Sequence, residues 1–279
     1  MAENHPYDPK DVAASRSVLI ETLTVLGKYR DRIAVVGGWV PELSIPEHGH
    51  MGSLDVDLAL DAAKFPPHVY ETIRKDLLGA GYKPTEIPNR FERAVPGNPM
   101  PVRVDLLCGQ YAGESRGSHE MIQGMAVWKA RGLDLATWFH RKIRVSGTLP
   151  DGARNEVEVT IPTIPAFLCM KGILLADRMK DKDAYDVYFC VANFPGGLNV
   201  LANEFQPMLP NNLVQEGLGN LRAKFSTIED IGPVWAARVA AEAGADEVFA
   251  RRDAFEQVNR LLDLLKIPRQ GQSGKETTR

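Results

Sequence analysis

The chain has 279 residues, 44% hydrophobic and 25% charged, with 33 Lys plus Arg against 36 Asp plus Glu and a formal net charge of −3. That balance excludes a disordered chain, a collagen-like repeat and a broad basic field for loose nucleic-acid binding. Cys108, Cys169 and Cys190 are odd in number and far apart, which excludes a disulfide framework and a CxxC zinc pair. With a polar start (MAENHPYDPK) and no run of about 18 apolar residues, a cytoplasmic protein with no membrane segment is expected.

Residues 9–29 read as a helix, with Val12, Leu19, Leu23 and Leu26 at helical spacing and Asp8-Pro9 as cap and first turn. Arg32 to Val36 reads as a short buried strand that Gly37 and Gly38 end. A short helix over Trp39 to Ser44 and a Pro- and Gly-rich loop to Gly52 follow. Leu54 to Leu60 alternates apolar residues with Asp55 and Asp57, the pattern of a strand with one buried face. A helix over about Pro67 to Gly79 and strands over Tyr82–Ile87, Arg90–Val95 and Val102–Leu107 come next. Residues 110–136 are expected to carry one short helix, around Met121 to Ala130. Residues 137–161 read as a hairpin about Pro150-Asp151-Gly152.

After Pro165 only helical periodicities remain, over about 164–179, 183–193, 211–224, 230–243 and 246–266. Phe194-Pro195-Gly196-Gly197 is a helix stop. The expected fold is α+β: a small mixed sheet covered on one face by helices over 1–161, a helical domain over 162–267 and a disordered tail over 268–279.

Asp55 and Asp57 carry the sharpest chemistry. At i and i+2 on a strand they share a face, and two close carboxylates raise each other's pKa unless a cation neutralises them. Mg²⁺ is the economical cation; an acidic solvated face is the plain alternative. Asp105, alone among apolar residues, adds a third carboxylate if its strand lies alongside, or else pairs with Arg90 or Arg93. Gly37-Gly38 at a strand-to-helix turn lets backbone approach a phosphate, as any tight turn also uses glycine. Ser53 offers a hydroxyl. The aromatics Trp128, Trp138, Tyr185, Tyr188 and Phe189 suit base stacking or core packing, and His140 to Arg144 suits an acceptor nucleic acid or an exposed hairpin face.

The segments VVGGW (35–39), GSLDVDLAL (52–60) and VRVDLL (102–107) together resemble the DNA polymerase β-like nucleotidyltransferase superfamily. CMKGILLADRMKDKDAYDVYFCV (169–191) is similar to the Lys-rich segment of its AbiEii-type, toxin–antitoxin-associated branch. The resemblance implies that Asp55, Asp57 and Asp105 are catalytic and ligate Mg²⁺ or Mn²⁺. It implies that Gly37, Gly38 and Ser53 meet the nucleotide phosphates, with Lys171 on the triphosphate and Asp183 or Asp186 as a late acid. The implied reaction moves NMP from an NTP such as ATP to a hydroxyl on RNA, protein or a small molecule, releasing pyrophosphate. The second reading is a non-catalytic regulator of the same fold, binding nucleotide or a cognate toxin or antitoxin partner. Met51, where relatives carry Arg, leans towards it, and His48 and His50 fall in the loop before the acidic strand.

Overall fold

The computed structural model describes residues 7–65, 72–111, 116–178 and 180–269. Helix α1 (Pro9–Val25) starts where Asp8 accepts from the Lys10 amide at 2.8 Å, with Pro9 in the first turn. It ends sooner than expected, because Gly27–Arg32 tightens into a 3₁₀ stretch. Strand β1 (Ile33–Val36) is buried along its whole length, and α2 (Trp39–Ser44) follows the glycine turn. Next come β2 (Val56–Leu60), α3 (Thr72–Gly79), β3 (Lys83–Pro84), β4 (Arg90–Arg93) and β5 (Val102–Gly109). Of the helix expected from Pro67, residues 67–71 lie outside the described residues. The strand expected over Tyr82–Ile87 shrinks to the two residues of β3.

The helix expected around Met121 to Ala130 is instead a hairpin. Strands β6 (His119–Ile122) and β7 (Met125–Ala130) pair in register Ile122↔Met125 about Gln123-Gly124. Both turn residues have positive φ, 52° and 75°, as a two-residue hairpin turn of this kind requires. Buried Met125 and Val127 alternate with exposed Trp128, a period of two. The short helix of this region is α4 (Asp134–Trp138), and the hairpin β8 (His140–Thr148) and β9 (Arg154–Pro162) closes the series.

The strands form one mixed sheet in the order β3-β4-β5-β2-β1-β9-β8, with β7 on β5 and β6 on β7. Pairs β1/β9, β2/β5 and β5/β7 are parallel and the rest antiparallel. One face joins Val35, Leu58, Leu106 and Val159 to Val18 and Leu19 of α1 and Ile73 and Leu77 of α3 in a single core. Within β2 and β5 the alternation therefore leaves Asp57 and Asp105 on the opposite face. The short α4 serves that second face too, since a Cβ on Gly109 would overlap the Asp134 carboxylate.

Helices α5 (Ile164–Asp177), α6 (Asp181–Ala192), α7 (Gly197–Phe205), α8 (Asn212–Lys224), α9 (Ile231–Glu242) and α10 (Glu247–Leu264) follow. The stop at Phe194–Gly197 ends α6 as expected, but it also opens α7, which the sequence reading lacks. The fold is thus α+β. Two compact units result: one up to Leu43 and over Met51–Thr163, the other Ser44–His50 together with the chain from Ile164 on. No helix among the described residues is long and apolar enough to cross a membrane, and Cys108, Cys169 and Cys190 are free and buried.

Candidate functional site

Strand register builds the first part of the site. Asp57 stands opposite Val36 on β1 and opposite Asp105 on β5, and Asp105 stands opposite Arg90 on β4. Cross-strand partners point to the same face, so Val36, Asp57, Asp105 and Arg90 form one row across four adjacent strands. Neighbouring strands are about 4.8 Å apart. Two carboxylates thus lie side by side at the strand end that runs into the glycine turn. Asp55 precedes β2 by one residue instead of lying inside it, and is half-exposed, 4.0 Å from Arg103 Nε.

Arg90 grips Asp105 with both arms of its fork, Nε to Oδ1 and NH2 to Oδ2, each at 2.7 Å. This is the pairing the sequence left open as the alternative to metal binding at Asp105. The hydrogen bond to Asp105 raises the guanidinium pKa first, and the charges of Asp105, Asp55 and Asp57 raise it further. All three carboxylates therefore act on one cation.

Gly37 has φ of 69°, and a Cβ there would overlap Oδ2 of Asp57. The Asp57 carboxylate occupies the space a side chain at 37 would need, and the turn continues with Val40 N–H donating to Gly37 O at 3.2 Å. The Gly37→Ala variant is expected to lose about 1–2 kcal/mol from the left-handed backbone alone, and to displace Asp57. Urea denaturation followed by circular dichroism would read the first effect. Gly38 completes the turn, and Ser53 is buried in the same unit.

Mg²⁺ commonly takes one or two carboxylates and completes its shell with water and substrate phosphates. Asp55 and Asp57 offer two carboxylates two residues apart, and both oxygens of Asp105 meet Arg90. Among the described residues no group of three or more His, Cys, Asp or Glu is disposed to hold a metal ion.

The late basic and acidic residues form a separate arrangement, inside the second unit. Lys171, on α5, lies 2.6 Å from Asp183 Oδ1 and 2.7 Å from Asp186 Oδ2, both on α6. Lys182 reaches Asp186 Oδ1 at 2.9 Å, one helical turn away, and Arg178 clasps Asp183 at 2.9 and 3.1 Å. Lys171, Lys182, Asp183 and Asp186 are all buried. Lys171, expected on the triphosphate, thus makes two buried ion pairs, one with each of Asp183 and Asp186, the two residues expected to supply the late acid.

His50 joins this network, its Nε2 donating to Asp186 Oδ1 at 3.0 Å, with its ring between Tyr185 and Phe189. Tyr185 and Phe189 are core residues, as their helical spacing suggests. Burial works against the Lys171 ammonium, but Asp186 and Asp183 outweigh it and raise its pKa. Burial likewise opposes ionisation of Asp186, and Lys171, Lys182 and His50 overcome this and hold it well below the carboxylate range.

Burial lowers the His50 pKa, against the pull of Asp186, so the ring is neutral. The unfolded chain then takes up the His50 proton near its ordinary value of about 6.5 while the folded chain resists it. Stability from this group is full above that value and declines as pH falls below it. Urea midpoints should therefore drop between pH 7.5 and 5.5, and His50→Gln, which keeps a donor for Asp186, should flatten that slope. Only the fold brings His50 to Asp186, 136 residues away in the chain.

Compared with known proteins, the chain matches no protein-family model, no curated protein and no solved structure.

Proposed function

We propose that the first unit is a nucleotidyltransferase core that moves NMP from an NTP to an acceptor hydroxyl, with pyrophosphate leaving. The observation that carries this reading is the placement of the Gly37 turn against the in-register pair Asp57 and Asp105. The Gly37-Gly38 backbone gives phosphate oxygens close access, and the amides that open α2 lie just beyond it. Asp55 and Asp57 would hold Mg²⁺ or Mn²⁺, which when bound neutralises the phosphate charge and polarises the α-phosphorus. Asp105 is oriented by Arg90 and sits beside Asp57, where it can accept a hydrogen bond, and then the proton, from the attacking hydroxyl. Arg90 contributes a fixed positive charge where negative charge develops. Lys171, Asp183 and Asp186 take no part in this reading and serve the second unit's packing.

The test is transfer from α-labelled NTPs, each in turn, with Mg²⁺ or Mn²⁺ and a cell extract divided into RNA, protein and small-molecule fractions. Label should enter one fraction and fall by about 10²–10³ in the Asp55→Asn/Asp57→Asn variant. One observation favours a second reading: the two-armed grip of Arg90 on Asp105 occupies the oxygens that turnover would use. Nucleotide binding without label in any fraction would select that reading, a nucleotide-binding regulator or one half of a toxin–antitoxin pair.

A further inference from the structure

Strand β8 presents alternate residues to each side of the hairpin. Lys142 pairs with Thr160 on β9, and Thr160 pairs with Ala34 on β1, so these three share a sheet face. The 3₁₀ stretch before β1 brings Lys28 and Arg32 to the same place, and the short turn after β2 brings Lys64. Together they line an open cleft of about 580 Å³, a volume ordinary for small-ligand sites. Among the described residues of its lining, Asp31 is the one carboxylate, against four Lys and Arg side chains. The cleft lies at the start of β1, the end opposite Gly37.

Its cations are held in place. Lys142 sits between Asp31 at 2.6 Å and Glu158 at 3.3 Å. Lys28 lies 2.7 Å from Asp76, and Lys64 lies 2.9 Å from Asp61. Arg32 differs from the other three: no carboxylate among the described residues lies within ion-pair distance, and its guanidinium rests 5.7 Å over the Phe65 ring. A guanidinium braced by an aromatic face, with its fork unclaimed, is suited to bidentate recognition of phosphate. The neighbouring lysine pairs are exposed, and such pairs contribute little, so a multivalent anion can replace their carboxylates.

We propose that this cleft binds a compact phosphate-bearing anion, with Arg32 as its bidentate anchor and Lys142 and Lys64 as flanking charges. The ligand is compact because carboxylates ring the cleft. Glu158, Asp61 and Asp76 each border one of its lysines and repel a polyanionic strand running outward. The net charge of −3 gives such a strand no compensating field. Thr160, whose hydroxyl donates to Arg30 O at 3.3 Å, and His140, whose Nδ1 lies 2.9 Å from Thr137 O, supply polar edges.

The experiment is calorimetric titration of the full chain with pyrophosphate and with tripolyphosphate. EDTA is present, so that an ion-dependent anion at Asp55 and Asp57 does not contribute. Saturable binding is expected, weakened at least about tenfold by Arg32→Gln. Lys64→Gln, which leaves Arg32 on its ring, should weaken it by a smaller factor. Arg144→Gln, on the same strand but outside the cleft, should leave it unchanged. Absence of binding, or equal weakening by Arg32→Gln and Arg144→Gln, would overturn the proposal. So would a single-stranded oligoribonucleotide that binds more tightly than tripolyphosphate, which would make this face a strand-binding surface. These outcomes are independent of label transfer.

Discussion

Replacing Lys171 by methionine is expected to cost about 3–5 kcal/mol of folding stability, because it strands buried carboxylates without their shared counter-ion. Asp183 and Asp186 both lie within 2.7 Å of that ammonium. Asp186, with no exposed side-chain surface, cannot turn to water, while Asp183 keeps Arg178. The double variant Lys171→Met/Asp183→Asn should recover part of the loss. It removes one charge of each sign and leaves Asp186 with Lys182 and His50. Equilibrium urea unfolding of the wild type, the two single variants and the double variant gives the coupling directly. Unchanged stability in Lys171→Met would mean that the side chain is free to serve a ligand, and would return it to the triphosphate role that the resemblance implies.

The second large effect is expected where α5 and α8 meet. A Cβ on Gly217 would fall 2.7 Å from Cys169 Cα, and one on Gly172 would overlap the Gly217 carbonyl. Each glycine faces the other helix's backbone, which has no rotamer to change, so the helices must separate to admit a side chain. Gly217→Val should lose about 3 kcal/mol or more in the same unfolding assay. Gly219, on the same helix with nothing near its absent Cβ, is the control. Gly219→Ala should gain about 0.5–1 kcal/mol from helix propensity. Equal losses at both positions would show that the close approach is not the cause.

How much of this is legible before the fold is known depends on the range of the interaction. The alternation through Leu54 to Leu60 announces β2 and the face of Asp57, because a period of two is a local property. The same holds for Asp105 inside VRVDLL and for the glycine turn. The Arg90–Asp105 pair is partly legible, since both residues belong to one antiparallel meander and the choice lies only between Arg90 and Arg93; Arg93 goes instead to Glu21.

The hairpin β6/β7 is obscured by its turn. Gln123 adopts a conformation usually left to Asn, Asp or Gly, so no turn signal separates the two short strands. His50 and Asp186 are 136 residues apart, and no periodicity links them. The loop around His50 reads as polar punctuation, and only tertiary packing turns it into a core element. Arg32 is similarly mute as a sequence letter. Its unclaimed fork is visible only once every neighbouring lysine has found a carboxylate.

The short stretch Ser44–His50 belongs with the helices that begin at Ile164, although the residues before and after it belong with the sheet. The backbone therefore passes from one unit to the other three times, not once. No single cut yields two self-sufficient pieces. A fragment ending at Thr163 carries His50 without Asp186, and a fragment starting at Ile164 carries Asp186 without His50. The second unit cannot be completed by sequential synthesis alone: a segment made early must wait for α6, made more than a hundred residues later, before its histidine is capped. Truncation at the apparent boundary would remove part of the unit it was meant to isolate.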